Sequence, residues 1–265
     1  MVCITFLNTQ QVKTLSNLDH KQLIIKPLNP QKFLKTNIHN MQIKKQYKGI
    51  IFDLDGTLLN TLGTYSHIMN ALLEKNKFPI HTMKNYREFI GNGAKNFITL
   101  SIPSEHRTEE LIAHLLHEFH LQYEDLYTQH SETYAGIMDV LIDLQSAGIT
   151  LALLSNKLHD LTLKCAGHFF PDIKFSHIIG QSEKYKKPDP SGVLDLSKLL
   201  KIPLDQLVFV GDTDVDILTA QNAGVDSIAV TWGFRDEKNL VSLSPNYIIR
   251  SPKELIEFLP FSKQI

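Results

Sequence analysis

Two aspartates follow a short apolar run near residue 50, and their spacing could support chemistry. Residues 50–52 are Ile-Ile-Phe, which predicts a strand buried on both faces. Asp53 and Asp55 follow, and side chains two apart in an extended chain point to the same side. Gly56 then permits a tight turn, and an ordinary turn would use the same residue types. Because two such close carboxylates repel each other without a cation between them, we expect a cation-assisted site.

The segment Asp53-Leu-Asp-Gly-Thr57 resembles the first motif of the haloacid dehalogenase-like superfamily of phosphohydrolases. The resemblance implies that Asp53 is the nucleophile and that Asp55 is the general acid and base. It also implies that Gly56 and Thr57 lie against the phosphate group. Asp55 argues against a dehalogenase, because the dehalogenases of this superfamily lack that second aspartate.

A second apolar run, residues 149–154, leads into Ser155 and Asn156. A hydroxyl held by a rigid strand can orient the oxygens of a transferring phosphoryl group. This pattern is similar to the second motif of the superfamily, which implies that Ser155 is catalytic and that both residues bind phosphate. An N-cap of a helix over residues 158–167 is the alternative role for Ser155.

Lys187 stands directly before Pro188, in a run that also contains Lys184 and Lys186. A residue before proline is displaced from the helical region, and a helix is predicted over residues 192–200. A lysine placed ahead of a helix N-terminus can neutralise phosphate. The segment resembles the third motif, in which the lysine pairs with the nucleophile and the phosphate. Lys187 is the preferred candidate, and the other two lysines are alternatives.

Asp212 and Asp216 follow another apolar strand, in the pattern Gly-Asp-x-x-x-Asp. This pattern resembles the fourth motif and implies a Mg²⁺ site. Mg²⁺ prefers oxygen ligands, which Asp53, the backbone carbonyl of Asp55, and Asp212 would supply. Asp216 would not bind the metal directly but would contact a metal-bound water or Lys187.

The strands and helices that position these residues predict an α/β fold. We expect a Rossmann-like, doubly wound parallel sheet core with an inserted α-helical cap domain. The core would comprise residues 47–61 and 133–265, and the cap would comprise residues 62–132. Residues 1–46 are expected to be a flexible extension or a consequence of start-site choice, with a targeting segment as the third possibility. An insertion at this edge of the sheet can exclude water from the site.

The cap contains one stretch that could determine specificity. Gly91, Asn92 and Gly93 form a turn whose backbone can approach a ligand, and Lys95 and Arg87 could meet a second anionic group. An ordinary turn between helices is the alternative. The surrounding segment is similar to the cap loop of phosphoglycolate phosphatases, which favours the functional interpretation.

The amino-acid composition limits the binding partners and the cellular compartment that we expect for this protein. The 265 residues are 43% hydrophobic and 21% charged with a net charge of −1, which gives no basic footprint for nucleic acid. The apolar runs are too short to span a membrane. Two distant cysteines indicate neither a disulfide framework nor a metal site, so a cytoplasmic protein is expected. Its partner would be a small phosphorylated metabolite, and the protein would be a monomer or a homodimer.

The resemblance therefore predicts a Mg²⁺-dependent phosphatase. It would hydrolyse a small, phosphoglycolate-like phosphate monoester through an aspartyl-phosphate intermediate. A pyrophosphatase, a nucleotide or sugar-phosphate phosphatase, and a phosphomutase share the same core residues and remain alternatives. A non-catalytic interaction protein is disfavoured because every catalytic position is filled.

Overall fold

The computed structural model describes residues 45–258, so the predicted extension over residues 1–46 lies almost wholly outside the described residues. The strands in this range are β1 (Gly49–Phe52), β2 (Leu59–Asn60), β3 (Glu132–Thr133), β4 (Thr150–Leu158), β5 (Phe175–Gln181), β6 (Leu207–Gly211), β7 (Asp226–Val230) and β8 (Tyr247–Ile249). The α-helices are α1 (Leu62–Lys75), α2 (Met83–Phe89), α3 (Ala94–Ser101), α4 (Glu109–Leu126), α5 (Ile137–Ser146), α6 (His159–Phe169), α7 (Ser191–Leu200), α8 (Asp214–Ala223), α9 (Glu237–Ser242) and α10 (Glu254–Phe258). No helix in this range is long and apolar enough to cross a membrane.

Six parallel strands form the central sheet in the order β5-β4-β1-β6-β7-β8. β1 lies in the middle, where Ile51 is in register with Ala152 of β4 and Phe209 of β6. The order of strands reverses between β1 and β6. In open sheets of this type, ligands bind at the carboxyl ends of the strands beside such a reversal. The predicted doubly wound parallel sheet is therefore confirmed.

The apolar composition of β1 follows from its position in the sheet. Ile50 and Phe52 pack into one hydrophobic core, and Ile51 packs into a second core on the opposite face. Side chains alternate along a strand, so a strand covered on both faces needs apolar residues at every position. Each fully buried side chain of this size stabilises the fold by roughly 1.5–3 kcal/mol. The strand that carries the site is thus held rigidly.

The predicted helical cap is formed by α1 to α4, which lie between β2 and β3 in the chain. The ring of Tyr65 lies at its centre, 5.1 Å from the Phe97 ring and 5.3 Å from the Phe119 ring. β2 pairs antiparallel with β3, with Leu59 opposite Thr133. The chain therefore leaves the core and returns to it at adjacent points.

Two local details differ from the sequence-based predictions. β4 continues to Leu158 and α6 begins after it, so Ser155 lies inside the strand and its alternative role as an N-cap is wrong. Helix α2 was not predicted. It begins after Thr82, whose backbone N–H donates to Asn85 Oδ1 at 3.2 Å while its hydroxyl accepts from Asn85 N at 3.4 Å. This capping box has asparagine where glutamate or glutamine is usual, so the sequence signal is weak.

Candidate active site

A cluster of buried carboxylates lies where the strand order reverses. Asp53 follows β1, Asp212 follows β6 and Asp216 lies in the first turn of α8, with one oxygen from each within 4.8 Å of the others. Gly56 has a φ of +90°, and a Cβ there would come within 2.3 Å of Asp212 Oδ2. Only glycine therefore allows the turn after β1 to fold this closely onto Asp212.

Lys187 joins two of these carboxylates. Its Nζ lies 2.6 Å from Asp53 Oδ1 and 2.6 Å from Asp216 Oδ1, and its side chain is only 3% exposed. Asn156 fixes the backbone of this lysine, because Asn156 Oδ1 accepts from Lys187 N at 2.8 Å and Nδ2 donates to Lys187 O at 3.0 Å. The side chain of Asn156 thus orients the lysine, whereas the sequence predicted a phosphate contact.

The cluster holds more negative charge than its lysine balances. Burial and the charge of Asp216 together raise the pKa of Asp53 to about 7, against the opposing effect of Lys187. Burial, followed by the charges of Asp216 and Asp53, also raises the pKa of Asp212 well above its usual range. Carboxylates that are this difficult to ionise together form a site that a divalent cation would stabilise.

The existing hydrogen bonds show which oxygens could hold such a cation. Asp216 Oδ1 is engaged by Lys187, and Asp216 Oδ2 accepts from the N–H and the hydroxyl of Thr213 at 2.9 and 2.7 Å. Each Asp212 oxygen accepts a single hydrogen bond from a neutral donor, Oδ1 from Thr57 Oγ1 at 2.8 Å and Oδ2 from the N–H of Phe234 at 2.7 Å, so each oxygen keeps a lone pair for a cation. This arrangement favours Asp53 and Asp212 as direct ligands and Asp216 as a supporting residue.

Ser155 and Thr57, both predicted to bind phosphate, have different surroundings in the structure. Ser155 lines the cavity between the cap and the core, and its Oγ accepts from Lys157 N at 3.2 Å, which leaves its hydroxyl hydrogen for another acceptor. Thr57 uses its hydroxyl on Asp212 and its carbonyl accepts from Trp232 Nε1 at 3.0 Å. Ser155 can therefore contact a substrate directly, whereas the side chain of Thr57 orients a carboxylate.

Sequence reasoning missed the buried partner of Asp55. Lys157 Nζ lies 2.9 Å from Asp55 Oδ1 and 2.6 Å from Oδ2, and the lysine side chain is 2% exposed. The hydroxyl of Tyr65 lies 3.4 Å from Asp55 Oδ2. Lys157 directly follows Ser155 and Asn156, but a lysine after an apolar run is usually solvated, so its position in the sequence does not distinguish it from a surface lysine.

The cap and the core line a small cavity of about 20 Å³ over these residues. Gly91 and Gly93 line it, as do the cap side chains Ile90 and Phe97. Gly93 has a φ of +83°, and a Cβ there would lie 2.7 Å from Gln181 Oε1, so the loop approaches the core closely. Two predicted specificity glycines therefore border the cavity.

The other three predicted specificity residues are not among those that line the cavity. Asn92 is exposed, and Lys95 is an exposed residue whose Nζ pairs with Glu109 at 2.7 Å. Arg87 donates from Nε to Phe234 O at 2.8 Å and from Nη2 to the carbonyl of Gly233 at 2.7 Å. In this structure neither cation faces the cavity, because each is paired outside it.

Arg87 is instead half of an arginine clamp, formed by Arg87 and Arg235, between the cap and the core. Arg235 donates from Nη1 to Arg87 O at 3.0 Å and from Nη2 to Ile90 O at 2.8 Å. Its Nε lies 3.0 Å from Asp214 Oδ1. These carbonyls lie at the C-terminal end of α2, where a positive charge is favourable. The clamp therefore fastens the cap loop above the carboxylates.

We expect Arg235→Gln to loosen the cap. The variant removes the donors to Arg87 O and Ile90 O, so KM should rise by about tenfold or more while kcat changes less, in line with the cost of about 1.5–3 kcal/mol for losing hydrogen bonds from a charged group. Hydrogen exchange in α2 should also accelerate. Arg250→Gln is the control, because it removes a surface arginine that pairs with Glu237 and is not part of the clamp. An unchanged KM and unchanged exchange would show that the clamp does not hold the cap.

The chain is similar to known proteins of one family. Residues 50–230 match the family model for haloacid dehalogenase-like hydrolases. A phosphoglycolate phosphatase of Vibrio cholerae serotype O1 is 31% identical over 224 residues, which cover 80% of this chain and 97% of that protein. A phosphoglycolate phosphatase of Psychrobacter arcticus is 29% identical over 220 residues, covering 79% of this chain and 94% of that protein.

A solved structure has the same architecture. It is the crystal structure of a Lactobacillus delbrueckii subsp. bulgaricus protein described as a phosphoglycolate phosphatase, with a TM-score of 0.76 and 28% identity. The match covers 81% of this chain and 99% of that chain. The similarity thus includes both the sheet and the helices that cover it.

Proposed function

Because this chain belongs to the haloacid dehalogenase-like hydrolases, we propose that it is a Mg²⁺-dependent phosphatase acting on small phosphate monoesters such as phosphoglycolate. The observation that carries the proposal is the contact of Lys187 with both Asp53 and Asp216, beside Asp212. This arrangement supports a site in which Asp53 would be the nucleophile, Lys187 the cation and Asp212 a metal-binding carboxylate. A cytoplasmic location and a monomeric or homodimeric state are part of the same proposal.

Charge neutralisation is the first requirement of phosphoryl transfer. Asp53, Asp212 and the backbone carbonyl of Asp55 would hold Mg²⁺, which would neutralise negative charge on the phosphoryl oxygens. Lys187 would contribute a further positive charge, and the hydroxyl of Ser155 would donate to a phosphoryl oxygen. These groups are fixed before the substrate arrives, so little reorganisation is needed.

The chemical steps use the two aspartates that follow β1. A carboxylate oxygen of Asp53 attacks phosphorus, and the bond from phosphorus to the ester oxygen breaks. Asp55 gives a proton to the departing alkoxide, and then takes a proton from the water that hydrolyses the aspartyl-phosphate. Phosphate leaves, and both aspartates return to their initial state. The cap would exclude water that is not part of the reaction.

The small size of the cavity favours a small leaving group over a nucleoside or a sugar. The cavity, of about 20 Å³, is bordered by Ile90, Phe97 and the backbone of two glycines. The curated relatives reported above are phosphoglycolate phosphatases, which agrees with a leaving group of this size. Pyrophosphate hydrolysis and phosphoryl transfer between positions of one substrate use the same core, so the assay must distinguish them.

A substrate screen tests the proposal. Phosphoglycolate, pyrophosphate, nucleotides and sugar phosphates would be compared with Mg²⁺ and with excess chelator, and released phosphate would be measured. We expect release from phosphoglycolate that requires the metal and exceeds release from the other substrates in kcat/KM. Preferred release from pyrophosphate, or isomerisation of a sugar phosphate without phosphate release, would replace the proposed activity with that alternative.

The carboxylate cluster should make metal binding depend on pH. The pKa of Asp53 is about 7 in the folded, metal-free protein against an ordinary value of 3.8, so between these values the folded state holds more protons than the unfolded state. Stability of the metal-free protein therefore falls as the pH rises through this window. Mg²⁺ competes with those protons, so its stabilising effect should grow as the pH rises.

Thermal unfolding with and without Mg²⁺ measures this linkage. We expect millimolar Mg²⁺ to raise Tm more at pH 8 than at pH 6, by at least about 3 °C, which corresponds to roughly 1 kcal/mol for a chain of this size. Asp212→Asn should abolish most of the Mg²⁺-dependent increase. Equal increases at the two pH values would contradict the assignment of these carboxylates as metal ligands.

A further inference from the structure

Lys157 is a buried cation within the reaction cavity, and the mechanism above gives it no task. It lines the cavity together with Asp55, and its ammonium contacts both oxygens of that carboxylate at 2.9 and 2.6 Å. The ammonium also lies 5.0 Å from the centre of the Tyr65 ring and 4.4 Å from the centre of the Tyr123 ring. Aromatic faces attract a cation without neutralising its charge.

Burying this lysine has an energetic cost that a purely structural role does not explain. Burial opposes the charged form, and the contact of the ammonium with both Asp55 oxygens, at 2.9 and 2.6 Å, offsets that cost. The residue is thus a permanent cation, 2% exposed, at a position where an apolar side chain could pack. Buried charges of this kind in a cavity are candidates for a functional role.

The charges around the cavity distinguish the two lysines that line it. Lys187 contacts two carboxylates, those of Asp53 and Asp216, and lies on the phosphoryl side of the site. Among residues 45–258, Lys157 contacts a single carboxylate, that of Asp55. An additional anion in the cavity would therefore be attracted more strongly by Lys157, whose charge is shared with fewer acids.

The position of Asp55 shows which part of the substrate this cation would meet. Asp55 must reach the ester oxygen to protonate it, and Lys157 Nζ is within 3 Å of both Asp55 oxygens. The ammonium is therefore close to the first atoms of the leaving group. In the phosphate ester of a 2-hydroxy acid, the carboxylate carbon is two bonds from the ester oxygen. Phe97 and Ile90 border the cavity with apolar surface, which disfavours an anion there.

We propose that Lys157 is a specificity-determining residue, which binds the carboxylate of a leaving group derived from a 2-hydroxy acid. This inference rests on the proposed phosphatase function and names the part of the substrate that the site selects. On binding, the substrate carboxylate shares the ammonium with Asp55. The selectivity of the enzyme would thus reside in a core strand, two residues beyond Ser155, as well as in the cap.

Lys157→Met tests the proposal with two esters of similar size. The esters are phosphoglycolate and 2-hydroxyethyl phosphate, in which a neutral CH₂OH group replaces the carboxylate. Any loss that acts through Asp55 is shared by the two esters, so we expect kcat/KM for phosphoglycolate to fall at least about 30-fold further than kcat/KM for the neutral ester, the loss typical of a charge-assisted contact. Lys164→Met, an exposed lysine paired with Glu124, is the matched control and should change neither.

A binding measurement separates failure of this inference from failure of the proposed function. 3-Phosphonopropionate and propylphosphonate cannot be hydrolysed and differ by the carboxylate. With Mg²⁺, wild-type protein should bind the carboxylated compound at least about tenfold more tightly, and Lys157→Met should remove that preference, provided its unfolding remains cooperative. Lys157→Gln offers a second variant should the methionine variant fail to fold.

Either the ester kinetics or the phosphonate binding could overturn the inference. Equal losses on the two esters would show that Lys157 acts only through Asp55. Equal binding of the two phosphonates by the wild type, or no binding of either, would also overturn the assignment. If neither ester is hydrolysed by the wild type while the phosphonate preference is present and depends on Lys157, the proposed reaction fails and the anion site stands.

Discussion

Asp53→Asn is expected to lower kcat for phosphate esters by at least about 10⁴-fold, the scale at which loss of a nucleophile acts in hydrolases. The amide oxygen of asparagine is a poor nucleophile, and its substitution removes the atom that forms the bond to phosphorus. The geometry predicts an additional effect on stability. Asp53 shares its buried cluster with Asp212 and Asp216, so loss of its charge relieves repulsion.

The metal-free Asp53→Asn protein should therefore be at least as stable to urea as the wild type. Lys187 keeps Asp216 as a partner at 2.6 Å, so the lysine is not left unpaired. Asp160→Asn, an exposed substitution at the start of α6, is the control and should leave kcat unchanged. Hydrolysis by Asp53→Asn at the wild-type rate would show that Asp53 is not the nucleophile. A loss of stability with the loss of activity would leave the assignment unproven, and the urea measurement is included for that reason.

Lys187→Met should remove both activity and stability. Its ammonium is the buried counterion of Asp53 and Asp216, and breaking such a pair typically costs about 3–5 kcal/mol because a charge is left unpaired. We expect a loss of this size in urea unfolding and a fall in kcat of about 10³-fold or more, since phosphoryl charge is no longer neutralised. Lys186→Met replaces the exposed neighbouring lysine and should change neither kcat nor stability to urea.

A double-mutant cycle identifies the origin of the stability loss. In Asp216→Asn the carboxylate beside Lys187 is already neutral, so adding Lys187→Met should cost less there than in the wild type, with a coupling of at least about 1 kcal/mol. Activity should not recover in the double variant. Additive stability losses would mean that the lysine stabilises the protein by packing and that its charge matters little.

The residues found from sequence share a local signature. Asp53 and Asp212 follow apolar runs, and parallel strands that end at one edge must bring such residues together, so their proximity follows from the fold class. Lys187 was identified because the proline after it restricts its backbone. Each of these signals lies within a few residues of the functional group.

The residues that were missed depend on contacts between distant parts of the chain. Lys157 forms an ion pair with Asp55, which lies 102 residues earlier in the chain. Arg235 donates a hydrogen bond to the carbonyl of Arg87, which lies 148 residues earlier. Neither partner is recognisable without the three-dimensional arrangement. Lys95 and Arg87 were predicted to face the cavity but are paired outside it. A cation near a glycine turn has several possible partners, and the sequence does not identify which one it contacts.

The pairing of β2 with β3 affects how long the insertion between them can be. Because Leu59 lies opposite Thr133, the pairing of β2 with β3 already holds the two ends of the inserted segment together. Loop-closure entropy grows only logarithmically with length, by about 0.6 kcal/mol for each doubling. Lengthening or shortening the segment would therefore cost the core little free energy of folding. Large exchanges of the intervening helices, including replacement by an unrelated module with adjacent ends, should be tolerated by the sheet even where they abolish substrate selection.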